Sequence, residues 1–205
     1  PQDEQAQLDV IERAGLRASE LVRQMLAYGR QSMSERAPVH LSGTVLEVVQ
    51  LIELTLPESI NVRAAVDEGL PPVWGTASEL VQVLLNLCVN ASQAMPGGGD
   101  LTIRAQDAGR RRFDTSTGKV LEGPYLCLSV EDTGSGISED VMARMFDPFF
   151  TTKEVGEGSG LGLSVVQGIV EQHQGAGRVS SQPGEGTRVE LFVPVPEGRG
   201  GWAGS

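Results

Sequence analysis

Asn86 and Asn90 stand four residues apart within an apolar run, Val83, Leu84, Leu85, Leu87 and Val89. That spacing puts both amides on one face of a helix. Buried amides need partners. Either they tie the helix to a loop, or one lends its oxygen to Mg2+, a hard cation satisfied by phosphate oxygens, waters and few protein groups. Asp132 follows the apolar residues that end at Val130. A carboxylate at a strand end either shapes a turn or, against an apolar sheet, accepts from an exocyclic amine, which would select adenine over guanine. Gly134 and Gly136 break the chain after it. Further on, Gly158, Gly160 and Gly162 alternate with Ser159 and Leu161 and open into an apolar helix. Glycines let a backbone approach a ligand closely, and a helix N-terminus with bare N–H groups suits phosphate. Lys153, in the polar segment between Phe150 and Gly158, is either a solvated loop lysine or a mobile cation for a γ-phosphate. Together these residues point to a phosphate-bearing ligand, cradled by glycines at one end and faced by Asp132 at the other. Beside such a cradle the metal reading of the amides gains over the structural one.

The elements that must position these groups are legible in outline. Thr76 caps a strongly apolar helix running to about Ala94, stopped by Pro96-Gly97-Gly98-Gly99. Before it, Val39 to Leu41 reads as a short strand, and Ser42 caps a helix from about Gly43 to Leu54. Ile60 to Val66 and Pro71 to Trp74 read as further strands. Leu101 to Gln106 and Tyr125 to Glu131 alternate as strands, with Arg110-Arg111-Arg112 at a polar hairpin tip between them. A helix over Leu161 to His173 follows the glycines. Arg178 to Ser181 and Arg188 to Val193 pair across Pro183-Gly184-Glu185-Gly186. The predicted fold is α+β: a two-layer sandwich of a mixed, mainly antiparallel sheet with helices on one face.

One long helix precedes it. Over residues 3 to 33, Leu8, Ile11, Gly15, Ala18, Val22, Met25 and Gly29 follow three-four spacing, the seam of a helical bundle that needs a partner helix. Arg36-Ala37-Pro38 breaks the pattern. The expected organisation is a helical segment over 1–36, a domain over 38–195 and a glycine-rich tail or linker over 196–205.

Lys and Arg number 16 against 27 Asp and Glu, a net charge of −11, which argues against non-specific nucleic-acid binding. Cys88 and Cys127 lie in apolar runs without metal-ligand spacing, and read as buried thiols in a reducing compartment. No run is apolar enough to span a bilayer, so no membrane contact is expected within this chain and a cytoplasmic location is. His40 and His173 are isolated and read as structural. No CxxC, HExxH, GxSxG or GxxxxGK[ST] pattern occurs, which leaves metallohydrolase, esterase and P-loop readings without support.

Four ordered segments carry a family resemblance. LLNLCVNASQAM resembles the N box of the GHKL ATPases, VEDTGSGI the G1 box, MFDPFFTTK the F box and GSGLGLSVV the G2 box; GEGT at 184 to 187 resembles the last glycine-threonine element. The match is nearest to the catalytic domain of bacterial sensor histidine kinases, and the N-terminal helix resembles the second helix of their dimerisation hairpin. The resemblance implies a Bergerat-type ATP-binding fold, with ATP and Mg2+ as cofactors. It implies Mg2+ on Asn90, support from Asn86 one turn back, adenine on Asp132 with Thr187 behind it, and Gly134 and Gly136 as the nucleotide floor. It also implies phosphate contacts from Gly158, Gly160, Leu161 and Gly162, and lid contacts from Phe149 and Lys153. In the hydrolysing branches of the superfamily the position of Asn86 is typically a glutamate that activates water. An amide cannot act as a general base, so phosphoryl transfer is expected over hydrolysis.

The implied partners are a response-regulator receiver domain and a histidine-bearing helix of the same or a second kinase chain, within a homodimer of the full-length protein. Neither His40 nor His173 matches the family's phosphoacceptor position, so the acceptor is expected on the hairpin's first helix, and that helix is expected to lie outside these residues. Two other readings remain: an ATP-driven conformational clamp, which would hydrolyse ATP alone, and a nucleotide-sensing dimer scaffold, which would bind ATP without phosphotransfer.

Overall fold

The computed structural model describes residues 35–114, 120–152 and 160–196. The long helix expected over residues 3 to 33 lies outside these, as do Lys153 and Gly158. The described elements are β1 (Ala37–Val39), α1 (Leu41–Glu53), β2 (Ile60–Val66), β3 (Val73–Gly75), α2 (Ala77–Ala94), β4 (Gly99–Asp114), β5 (Val120–Asp132), α3 (Glu139–Met142), α4 (Gly162–Gln172), β6 (Ala176–Gln182) and β7 (Gly186–Pro194).

Five strands form one sheet in the order β2-β4-β5-β7-β6, in which only β2 and β4 run parallel. β1 and β3 make a separate antiparallel pair. Alternation decides which face of the sheet is dry. Leu101, Ile103 and Ala105 of β4, Leu126, Leu128 and Val130 of β5, and Val189, Leu191 and Val193 of β7 point to one side, where they are buried in one cluster. α1, α2 and α4 cover that side through Val48 and Ile52, Val83 and Leu84, and Val166 and Ile169. Each such side chain contributes about 1.5–3 kcal/mol on burial, so the helical layer is held by its apolar stripes rather than by caps. The caps are in fact weak. Thr76 is the N-cap of α2 but makes no side-chain cap bond. α1 starts at Leu41 with His40 as N-cap, so Ser42 lies inside the first turn and does not cap it.

Two expectations about strands need correction. The first strand is Ala37–Val39 rather than Val39 to Leu41, because its partner β3 sets the register with Val39 opposite Val73. The triple arginine is not a hairpin tip. β4 and β5 stay paired as far as Asp114 and Val120, past a bulge at Asp107/Gly109. The extended arm is held by a second small cluster on the opposite face of the sheet, made of Ala108, Leu121, Tyr125, Cys127 and Phe192 with Phe113 packed on it. Phe113 meets Tyr125 edge-on at 5.2 Å, a favoured aromatic geometry. Polar composition hid this strand, since Arg110, Arg111 and Arg112 are all exposed. Both cysteines are free and buried; burial pushes the Cys88 thiol up to about 12 and that of Cys127 up to about 11. Among the described residues no helix is long and apolar enough to cross a membrane.

Candidate nucleotide site

Three elements meet at one end of the helical face of the sheet. The register places Leu101, Asp132, Thr187 and Ser181 side by side across β4, β5, β7 and β6. All four share the face that bears Val130 and Val189. The row therefore turns from apolar to polar along its length, and Asp132 stands at the change.

Asp132 and Thr187 are both buried. Asp132 Oδ1 accepts the N–H of Gly134 at 2.8 Å, which curls the chain into the loop that follows. Burial pushes the Asp132 carboxyl above its ordinary range, while hydrogen bonds from the Gly134 and Thr187 backbones pull the other way.

That loop is stapled on three sides. The N–H of Ser135 donates to the carbonyl of Ala94 at the end of α2, at 3.0 Å, and the carbonyl of Ser135 accepts from Gly184 N–H at 2.7 Å. The N–H of Ile137 donates to Ser181 Oγ at 2.8 Å. Gly136 holds φ +68°, and a Cβ there would run into the backbone carbonyl of Gln182. A side chain is thus barred by conformation and by space together.

α2 supplies the facing wall. Asn86, Asn90 and Ala94 recur at intervals of four and lie on one face. Asn86 Nδ2 donates to the carbonyl of Gly162 at 3.4 Å, and a Cβ on Gly162 would sit 3.9 Å from Asn90 Nδ2. The amide face of α2 thus runs from the first turn of α4 to the loop after Asp132. The amides are half-buried rather than buried, a correction to the sequence expectation: the helix turns them toward the first turn of α4 and keeps Val83, Leu84 and Leu87 for the core. One half-buried amide oxygen fits a hard cation held mostly by phosphate oxygens and water.

His173 fixes α4 against α2. Its Nε2 accepts the N–H of Thr76 at 3.1 Å and its Nδ1 lies 2.8 Å from the carbonyl of Ile169. Since a backbone N–H only donates and a carbonyl only accepts, the ring is the neutral Nδ1–H tautomer. Burial holds its pKa below the usual value, and the Ile169 bond and nearby Glu79 oppose that.

Residues 75–197 match the family model described as histidine kinase-, DNA gyrase B- and HSP90-like ATPase. The chain belongs to that ATPase family. It is 38% identical over 183 residues to the sensor kinase CckA of Brucella abortus (strain 2308), covering 87% of this chain and 19% of that protein. It is 36% identical over 166 residues to the sensor histidine kinase ZraS of Escherichia coli (strain K12), covering 77% of this chain and 32% of that protein. The chain thus spans a third or less of the length of these two relatives. Among solved structures it superposes on the catalytic domain of the histidine kinase ThkA with a TM-score of 0.63 at 27% identity, covering 78% of this chain and 95% of that one. It also superposes on full-length ShkA in complex with AMPPNP, with a TM-score of 0.63 at 29% identity, over 79% of this chain and 31% of that one. The fold is that of a histidine kinase catalytic domain, and the domain is an ATP-binding one.

The structure brings Asn86, Asn90 and Gly162 together where α2 meets the start of α4, and Asp132, Gly134 and Thr187 together at the strand ends and the loop that follows, with Gly136 against the β6–β7 turn. Leu161 is the N-cap of α4. Gly160, at φ +63°, accepts the Phe149 N–H at 2.9 Å, and a Cβ there would strike the Phe149 backbone. Phe149 itself has a positive φ and is 75% exposed. Gly160 and Phe149 therefore close a backbone clasp at the two ends of the glycine-rich segment. Sequence reading missed Ser181 and the Ala94 carbonyl. Ser181 could have been found from strand register, since it lies opposite Thr187 across the hairpin turn. Nothing in residue type marks a helix-end carbonyl as the anchor of a loop.

Proposed function

We propose that this chain binds Mg2+·ATP in the cleft between α2, the start of α4 and the loop after Asp132, and that it transfers the γ-phosphoryl group to a histidine of a helical bundle. Asp132 accepts the exocyclic amine of adenine, with Thr187 beside it and Gly134 and Gly136 forming the floor. The N–H groups of Gly160, Leu161 and Gly162 bind phosphate oxygens at the positive end of α4; Gly158, Lys153 and Phe149 are assigned to the same nucleotide on likeness to the family's motifs. Asn90 gives its amide oxygen to Mg2+, and Asn86 holds the first turn of α4 in place through Gly162. Held by Asn90, Mg2+ would neutralise charge on the transferring group.

In the transfer, an imidazole nitrogen forms a bond to the γ-phosphorus as the bond from that phosphorus to the bridging oxygen breaks, and ADP leaves. The protein contributes positioning and charge neutralisation. The observation that supports this most is the bond from Asn86 to the Gly162 carbonyl. It commits the side chain at this position to holding α4, and that side chain is an amide, which cannot take a proton from water. The relay onward to a response-regulator aspartate, homodimerisation of the parent kinase through a bundle that includes residues 1–36, and a cytoplasmic site of action rest on likeness to the sensor kinases.

The full chain, γ-labelled ATP, Mg2+ and a separately produced histidine-bearing helical hairpin of a related kinase test the reaction. The expected product is an acid-labile, base-stable phosphate on the hairpin. Appreciable steady-state ATP hydrolysis by the chain alone, without transfer, would support the clamp reading instead. Tight ATP binding with neither activity would support the scaffold.

A further inference from the structure

Ser181 carries a hydrogen-bond pattern that determines what its neighbour can do. Its Oγ lies 2.8 Å from the Ile137 nitrogen, 2.8 Å from the Gly186 carbonyl oxygen and 2.9 Å from Thr187 Oγ1. A hydroxyl has one proton and two lone pairs. The Gly186 carbonyl can only accept, so Ser181 spends its proton there. The Ile137 N–H can only donate, so it takes one lone pair. One lone pair remains for Thr187, and Thr187 must therefore donate its own proton to Ser181. Thr187 is left with lone pairs alone on its other side, in the row that places it next to Asp132.

We infer that Ser181 is a specificity-determining positioning residue: it locks the Thr187 hydroxyl as an acceptor, so that Thr187 and Asp132 together form an acceptor-only edge for the base. Adenine offers an amine to such an edge, directly or through a water. In the place of that amine guanine carries a carbonyl oxygen, which meets acceptors; its N1–H lies beside it, so the discrimination rests on the carbonyl's position. A freely rotating threonine would turn its proton toward that carbonyl and recover part of the guanine binding. The inference rests on the base-binding reading of Asp132 given above and adds the source of its sharpness. It also accounts for why the loop after Asp132 and the β6–β7 hairpin are joined through a side chain: Ile137 N–H is what uses up the spare lone pair of Ser181.

The test is the ratio of GTP to ATP dissociation constants in the full chain, with thermal unfolding measured alongside. Ser181→Ala should narrow that ratio by about fivefold, the size of one ordinary hydrogen bond, and Ser181→Thr should restore it. Thr187→Val should narrow it to the same extent, and Ser181→Ala should add nothing in the Thr187→Val background. An unchanged ratio in Ser181→Ala with only a lower Tm would make Ser181 a brace of the hairpin and overturn the inference. If Ser181→Ala does not fold, Thr187→Val and Ser181→Thr still decide it: an unchanged ratio in the first, or a narrowed one in the second, overturns it. Asp132→Asn separates the two levels. If it leaves both affinities unchanged, the base-binding reading itself fails; if it changes them while the Ser181 and Thr187 variants do not, only the present inference fails.

Discussion

Replacing Asp132 by Asn alters one atom and inverts one hydrogen-bonding role. The Asn Oδ1 keeps the 2.8 Å bond from Gly134 N–H, so the loop retains its curl. The second carboxylate oxygen, an acceptor, becomes an NH2 donor facing the base. A hydrogen bond to a charged group is worth about 1.5–3 kcal/mol, so ATP affinity should fall about 10- to 100-fold. GTP affinity should fall much less, or rise, because the guanine carbonyl now meets a donor. The free domain should barely notice. Burial raises the Asp132 pKa, which means that the folded state bears a cost for the charged form above that pKa; the amide removes this cost while weakening the bonds from the Gly134 and Thr187 backbones. The two changes oppose each other, and unfolding free energy should move by less than about 1 kcal/mol. Calorimetric titration with each nucleotide, beside thermal melts, reads all three quantities. Unchanged ATP affinity, or an equal loss for ATP and GTP, would refute the reasoning; a large fall in Tm would show that the carboxylate serves the fold instead.

Other substitutions probe the remaining parts. Asn90→Ala should abolish the difference in ATP affinity between solutions with and without Mg2+; a difference that persists in the variant would remove Asn90 from the metal. Gly136→Ala combines a left-handed residue, costing about 1–2 kcal/mol, with a Cβ aimed at the Gln182 carbonyl, and should lower Tm by at least about 4 °C. Gly43→Ala, in α1 with nothing within 4 Å of the added carbon, should leave Tm unchanged or slightly higher. His173 has a folded pKa below its unfolded one, so its contribution to stability is complete above about pH 6.5 and is lost as pH falls from there toward the folded value. Asp132, with a raised folded pKa, acts in the opposite sense over the acidic range. The difference between wild type and His173→Gln therefore isolates the histidine, and it should shrink on acidification; a difference that grows would contradict the neutral tautomer.

What the sequence discloses here, and what it conceals, follows from the range of the forces involved. The sandwich is written in alternation and helical spacing, which are local, so β2 could be placed over Ile60–Val66 and α2 up to Ala94 from residue pattern alone. The glycine-bounded loops were legible because glycine holds the positive φ of Gly136 and Gly160 at the least steric cost. The β4–β5 arm was not, because its exposed arginines carry no apolar alternation and its pairing is sustained by Phe113 and Leu121 packed with Phe192, which is distant in sequence. The start of α1 was misplaced because tertiary packing of Leu41, 1% exposed, outweighs a serine's capping preference. Ser181 stayed hidden because its role comes from a register between strands, with Thr187 opposite it.

The most direct measurement is a titration of the isotopically labelled chain with a non-hydrolysable ATP analogue and Mg2+, followed by amide NMR. The N–H signals of Gly134 and Thr187 at the base end, and of Leu161 and Gly162 at the phosphate end, should shift together along one saturation curve with one Kd. Shifts confined to one end, or two ends that saturate independently, would mean that these residues do not hold the same nucleotide.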